Sequence, residues 1–330
     1  MKNIPRVPGI LWLSAFCALM AWVGPSATSA DPPKSIPSKP TEEMLRPSGD
    51  REKPLKFLPA TKEQADAAIT AAKKRGAEVE TAMDVKFGTI ETPHFLIFTD
   101  WNKLEYDFLK TNVEAAYEAV SRQFEIPVKE NVFIGKLPIY MFAKHEVFKK
   151  FAKSLDSFDA SDGVAGYYQG NSLGFGHMAM WKPDIAAANG NVRAAERQWA
   201  YVLTHEFTHA FVARYRTNAF IPRWLNEGVA EVVAYQKFPR SYIYPLVRER
   251  AKQKGSIQDF FIDKGSLLAA DYHVAQTVVE TMIVGNPKTF LSYFNDIKDG
   301  MKPEDALRKN YKTDLPGLEA AWRKYIKDVK

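Results

Sequence analysis

The strongest constraint on this chain is a pair of segments whose polar residues cannot be left alone. Residues 201–211 read Y-V-L-T-H-E-F-T-H-A-F, and 222–235 read P-R-W-L-N-E-G-V-A-E-V-V-A-Y. On an α-helix, residues i and i+4 lie one above the other on one face. His205 and His209 therefore present two imidazoles from a single face, with Glu206 beside the first. Tyr201, Val202, Phe207, Phe211 and Val212 make the rest of that helix apolar, so it belongs in the interior. The second segment opens a helix after Pro222, and Glu227 and Glu231 are again one turn apart. They stand among Trp224, Leu225, Val229, Val232 and Val233. Carboxylates on so apolar a helix are rarely buried without a partner. The two helices are expected to pack together through these four groups.

Spacing alone leaves two readings of this pair. In one, the histidines are satisfied core residues and the glutamates are surface carboxylates. In the other, His205, His209 and Glu227 hold one metal ion. Neutral imidazole suits Zn²⁺, and a catalytic site keeps three protein ligands and one open position. Glu206 would then take a proton from water activated at the metal, as in the helical H-E-x-x-H motif. Glu231 could accept the second N–H of a ligand histidine and fix its tautomer. The joint presence of both segments favours the metal reading. Zn²⁺ is preferred over other ions from ligand type.

The N-terminus has the layout of an export signal over residues 1–30: a basic M-K-N-I-P-R, an apolar G-I-L-W-L-S-A-F-C-A-L-M-A-W-V-G, and a small-residue end at Ala30. Such a signal places the protein in the periplasm, the cell envelope or the medium. The apolar run is shorter than the roughly 20 residues of a spanning helix, so an uncleaved anchor is the lesser reading and no stable membrane insertion is expected after cleavage. Cys17 is the single cysteine. Once the signal is removed, neither a disulfide nor a thiolate ligand remains, and any metal must rest on His, Asp and Glu. The net charge of +6 falls to +4 without Lys2 and Arg6, too little to argue for a nucleic-acid partner.

Along the chain, seven prolines between Pro32 and Pro59 mark residues 31–60 as an extended, disordered linker. Residues 61–83 form a helical N-terminal extension, with one Ala-rich helix ended by Gly76. A domain over 84–330 follows, with an α/β part (84–190) and a helical part (191–330). Strands are expected at 94–99, 136–143, 163–170 and 177–181, and helices at 103–124 and from about 145. Leu104, Phe108, Val113, Tyr117 and Val120 set the apolar spacing of the first of these helices. Beyond Asn191 the pattern is helical: 192–216, 223–237, 271–285, 287–300, 302–311 and 315–329. Pro287, Pro303 and Pro316 sit near helix starts, where a missing N–H costs nothing. The fold class is α+β, a small mixed or antiparallel sheet with helices, followed by an all-helical C-terminal half carrying the metal site.

H-E-F-T-H followed by W-L-N-E-G-V-A-E resembles the gluzincin metallopeptidases, and most closely the bacterial peptidase MA-like group. The resemblance implies a zincin-like fold over roughly 90–329, with His205, His209 and Glu227 as zinc ligands, Glu206 as base and Glu231 behind the ligands. It also implies an edge strand that binds an extended peptide or protein substrate by β-augmentation, for which Gly166, Tyr167 and Tyr168 are candidates. An oxyanion donor is expected as well. Tyr272 is favoured over His273 for it, with Tyr235, Tyr242 and Tyr244 as weaker options. Two departures stand out. There is no G-x-M-E-N element of the kind that holds a substrate amino terminus, which argues for an endopeptidase. The gap of seventeen residues between His209 and Glu227 is slightly short.

His94, His145 and His177 lack ligand-like spacing and read as structural or surface residues. The functional expectation is an exported one-zinc peptidase. The alternatives are a zinc hydrolase of another envelope amide or ester, and a silent zinc-containing binding or scaffold protein. The sequence does not set the oligomeric state or the cleavage specificity.

Overall fold

The computed structural model describes residues 53–253, 256–261 and 269–329. The expected signal and most of the proline-rich linker lie outside the described residues. Helix α1 (Lys62–Met83) opens the ordered fold with a reciprocal cap between Thr61 and Gln64. It runs through Gly76 instead of ending there. The missing side chain admits a neighbour: a Cβ at Gly76 would sit 2.3 Å from the Phe98 ring.

Five strands form one mixed sheet. They are β1 (Gly88–Glu91), β2 (Phe95–Thr99), β3 (Leu137–Phe142), β4 (Gly166–Gly170) and β5 (Gly176–Trp181), in the order β1-β2-β3-β5-β4. The three inner strands are parallel, and both outer strands run antiparallel to their neighbours. All five β2 residues are buried, as expected for a strand covered on both faces. Helices α2 (Tyr106–Gln123) and α3 (His145–Leu155) connect the strands. Leu96, Phe98, Tyr140 and Phe142 face Phe148 and Phe151 of α3 and Val79 of α1. Ile97, Ile139 and Met180 face the opposite side, with Val113, Tyr117 and Phe207. Leu104 does not join this core: it is 91% exposed in a short 3-10 turn before α2, and Leu109 is buried instead.

The second half is helical: α4 (Val192–Arg214), α5 (Arg223–Lys237), α6 (Ile243–Lys252), α7 (Gln258–Phe261), α8 (Ala269–Gly285), α9 (Pro287–Lys298), α10 (Pro303–Tyr311) and α11 (Leu315–Asp328). Helices α4 and α5 match the expected positions. Helices α6 and α7 and strand β1 have no counterpart in the sequence pattern. Helix α4 joins the two halves. Its Phe207 packs edge-on against Phe95 of β2, and its Phe211 stacks on Phe124. Phe124 in turn meets Phe294 of α9. One apolar core thus runs from the sheet into the helical half, and the two motif helices lie inside it.

Candidate metal centre

Helices α4 and α5 bring His205, His209 and Glu227 together, as their spacing predicts. The two Nε2 atoms are 3.1 Å apart, and each lies 3.3 Å from Glu227 Oε2. The residues are 2%, 9% and 6% exposed, too buried to carry charge without compensation. Three ligand atoms of three different side chains converge on one point and could hold a metal ion. The convergent Glu227 Oε2 has no hydrogen-bond donor among the described residues, as suits an oxygen reserved for a cation.

The electrostatics agree with this reading. Burial raises the Glu227 carboxyl, but the neighbouring imidazoles outweigh that and hold it far below the usual range. Burial likewise opposes charge on His205, yet its contacts with Glu227 and Glu231 raise it well above an ordinary histidine. His209 is raised in the same way by Glu227. The cluster therefore attracts positive charge, whether as protons or as an ion.

A second layer fixes His205 from behind. Its Nδ1 lies 3.1 Å from Glu231 Oε1, with the contact bent from the ideal hydrogen-bond direction. Tyr201 donates its hydroxyl to Glu231 Oε2, and the Arg240 guanidinium stacks 3.3 Å above the Tyr201 ring. Arg240 is in turn held by Gln198 at 2.7 Å. This order gives Glu231 one oxygen for the imidazole and one for the phenol, and it turns the His205 Nε2 lone pair toward Glu227. Sequence spacing places Glu231 but not Tyr201 or Arg240. Tyr201 is within reach of the same rule, since it precedes His205 by four residues; Arg240 comes from a loop and carries no periodic signal.

Glu206 is 4% exposed. Burial pushes its carboxyl above the ordinary value, partly offset by both histidines. Its Oε2 accepts a hydrogen bond from the Tyr168 backbone N–H at 3.2 Å. That contact shows how β4 meets the site. In an antiparallel pair, alternate residues turn both backbone groups toward the partner strand. Trp181 N–H donates to Ala165 C=O and Asn171 N–H to Phe175 C=O, so the odd-numbered residues face β5. The backbone groups of Gly166, Tyr168 and Gly170 therefore turn to the outer edge, where the Tyr168 N–H meets Glu206. Tyr167 is corrected as a candidate: its backbone faces β5 and its hydroxyl donates to Asp156 at 2.5 Å in the core behind the sheet.

The Tyr272 ring lies 6.5 Å from the His205 ring, centre to centre, so the N-terminal end of α8 borders the three converging side chains. His273, next in the helix, turns elsewhere. Its ring meets Tyr242 edge-on at 5.7 Å, and it feels the charges of Glu231 and Arg240. It belongs to the rear of the site. Tyr244 gives its hydroxyl to Glu280 at 2.6 Å, and Tyr235 packs edge-on against Tyr244. The other histidines are structural: His94 pairs with Glu114 at 2.6 Å, His177 with Asp156 at 2.8 Å, and His145 stacks on Trp181.

Gly228 carries no signal in the sequence pattern, yet the site depends on it. A Cβ there would stand 2.5 Å from Ala275 C=O and 2.5 Å from Val279. Its absence lets α8 press against α5 next to Glu227. Compared with known proteins, the chain matches no family model and no curated sequence.

Proposed function

We propose that the chain is an exported zinc metallopeptidase with a zincin-like fold. The observation that carries the reading is the ligand triangle with Glu206 beside it. Ligands at about 2.0–2.1 Å from Zn²⁺ in tetrahedral geometry are about 3.3 Å from one another. The edges found here are 3.1, 3.3 and 3.3 Å. All-N/O ligation by two imidazoles and one carboxylate matches catalytic zinc sites. When bound, zinc supplies a Lewis acid that polarises a carbonyl and lowers the pKa of water.

The chain's own residues do the rest. Glu206, raised by burial, accepts a proton from the attacking water and returns it to the leaving amine. The Tyr168 N–H holds Glu206 Oε2 in place. The outer edge of β4 offers backbone groups to an extended peptide, so a polypeptide substrate fits better than a compact ester. Tyr272, at the ligands, is the donor assigned to the oxyanion. The His205–Glu231–Tyr201 chain keeps the imidazole oriented.

Glu206→Gln decides between an enzyme and a silent zinc protein. The variant is expected to retain stoichiometric zinc and to lose hydrolysis of an unstructured protein by a factor of about 10²–10⁴. Undiminished cleavage by the variant excludes Glu206 as the base. A zinc-loaded parent that cleaves nothing in a broad peptide library excludes the peptidase reading. His205→Ala and Glu227→Ala are expected to lose zinc outright.

A further inference from the structure

Arg214, at the last turn of α4, is 4% exposed. Its Nε and Nη1 have no hydrogen-bond acceptor among the described residues. The remaining contact is weak: Nη2 donates to Leu58 C=O at 3.5 Å. The Phe57 ring covers the guanidinium, 4.1 Å from ring centre to Cζ. A buried arginine normally finds a carboxylate or several carbonyls, because leaving such donors unmade is costly. Burial pulls this one down to about 10, with Tyr168 in slight opposition.

The cover is the chain's own N-terminal strap. Phe57 N–H donates to Arg216 C=O at 2.7 Å, Asn218 N–H to Leu55 C=O at 3.1 Å, and Leu55 N–H to Asn218 Oδ1 at 2.7 Å. This short antiparallel pairing carries Phe57 across the gap where the β4–β5 turn approaches α4. Gly174 of that turn is so close that a Cβ would meet Arg214 Cδ at 2.7 Å and Phe57 at 3.0 Å. The strap therefore closes the far end of the β4 edge, where Tyr168 N–H already marks the near end at Glu206.

We propose that Arg214 is a binding site for a carboxylate of an extended peptide, closed in this structure by Phe57 of the strap. The carboxylate is an acidic side chain or a chain terminus. The forked guanidinium matches it with two parallel N–H donors. Glu206 and Arg214 are eight positions apart on the helix, about 12 Å at about 1.5 Å per residue. An extended peptide spans that in about three to four residues. The inference rests on the peptide-binding reading of β4, but not on hydrolysis.

The test is binding, with the full zinc-loaded chain carrying Glu206→Gln so that nothing is turned over. Dye-labelled octapeptides of Ala, Ser and Gly carry either Glu or Gln at each position in turn, with a free or an amidated C-terminus, and are titrated by fluorescence anisotropy. Phe57→Ala is expected to tighten binding of the carboxylate peptides about tenfold while leaving their Gln or amide counterparts unchanged. The Glu/Gln pairs report a side-chain source, and the free/amidated pairs a terminal one. Adding Arg214→Gln is expected to abolish the discrimination. Equal affinity for carboxylate and amide peptides in Phe57→Ala overturns the proposal, as does discrimination that survives in a folded Arg214→Gln protein. Loss of affinity for every peptide in Phe57→Ala also overturns it, since the strap would then form the site instead of covering it. If Arg214→Gln fails to fold, the Phe57→Ala comparison decides alone. Discrimination without any cleavage by the parent would sink the peptidase and leave this site standing; cleavage without discrimination does the reverse.

Discussion

In the proposed metal centre Glu231 acts on His205 without offering an atom to the ion. One carboxylate oxygen faces His205 Nδ1 at 3.1 Å and the other accepts the Tyr201 hydroxyl. Its negative charge favours the tautomer that leaves His205 Nε2 bare and raises the basicity of that nitrogen. Glu231→Gln preserves the shape and removes the charge. Metal affinity is then expected to fall about 10–100-fold, read by competition with a chromophoric chelator. Affinity within twofold of the parent would remove Glu231 from this role. At this scale the sequence is most informative. The i, i+4 rule by itself aligns His205 with His209 and Glu227 with Glu231, because metal ligation demands particular residue types at particular turns. It cannot supply the Tyr168–Glu206 bond, since a backbone N–H donor is present at almost every residue and only the fold selects one. Nor does that rule separate Tyr272 from His273, where only the resemblance favours the tyrosine. They are neighbours in sequence, and only the direction of each side chain from α8 puts one against His205 and the other beside Tyr242.

The elements that hold the ligands depend on glycine at one crossing. Helices α5 and α8 meet where Gly228 leaves room for the Ala275 carbonyl and Val279. Gly228→Ala puts a methyl group 2.5 Å from a backbone oxygen in the packed core. The intrinsic gain of alanine over glycine in a helix is about 1 kcal/mol, while overpacking costs about 1–3 kcal/mol. The clash with rigid backbone is expected to win, giving a net loss of up to about 2 kcal/mol in urea unfolding. A variant more stable than the parent would show that α8 can retreat freely. Zinc affinity should fall in parallel, since Glu227 precedes the crossing directly. Gly76 carries the same lesson. In sequence it reads as a helix end, because glycine often terminates helices, whereas here it marks a contact with Phe98 inside a continuous α1. The strong periodic segments are legible and their ends are close. Strand β1 is not: Gly88–Glu91 has four residues and one buried side chain, and its pairing with β2 is the only thing that makes it a strand. Leu104 fits the helical spacing yet lies in the turn before α2, so Leu109 takes its place in the core.

Across the whole molecule, α4 is anchored at its end by α9, through a lysine whose hold on its proton is weakened by burial. Lys298 is 1% exposed, and its Nζ donates to the Val212 carbonyl in the last turn of α4 at 3.0 Å. Thr217 donates to the Lys298 carbonyl, Tyr215 to Asn295 at 2.8 Å, and Arg216 forks onto Asp299 at 3.1 and 2.5 Å. A cation at a helix C-terminus is favourable in itself, but burial outweighs it and pulls the lysine down to about 7, with Asp299 in partial opposition. The unfolded chain keeps an ordinary lysine near about 10.4. Between about pH 7 and 10 the unfolded state therefore binds a proton that the folded state does not, and stability rises with pH across that window. Below about pH 7 both states are protonated and the contribution is flat at its least favourable. The gap bounds the effect at roughly 5 kcal/mol. Lys298→Met removes the titration. It also leaves the Val212 carbonyl without its donor, which shifts the comparison by a constant but gives it no slope. The difference in unfolding free energy, variant minus parent, is therefore expected to be highest near about pH 6.5 and to decline steadily toward about pH 9.5. Comparing variant with parent at each pH cancels the titration of groups that both share, the metal ligands included. A difference that stays level over that range would mean that Lys298 keeps its proton at the end of α4, and that the carbonyl and the helix terminus solvate the ammonium well enough to offset its burial.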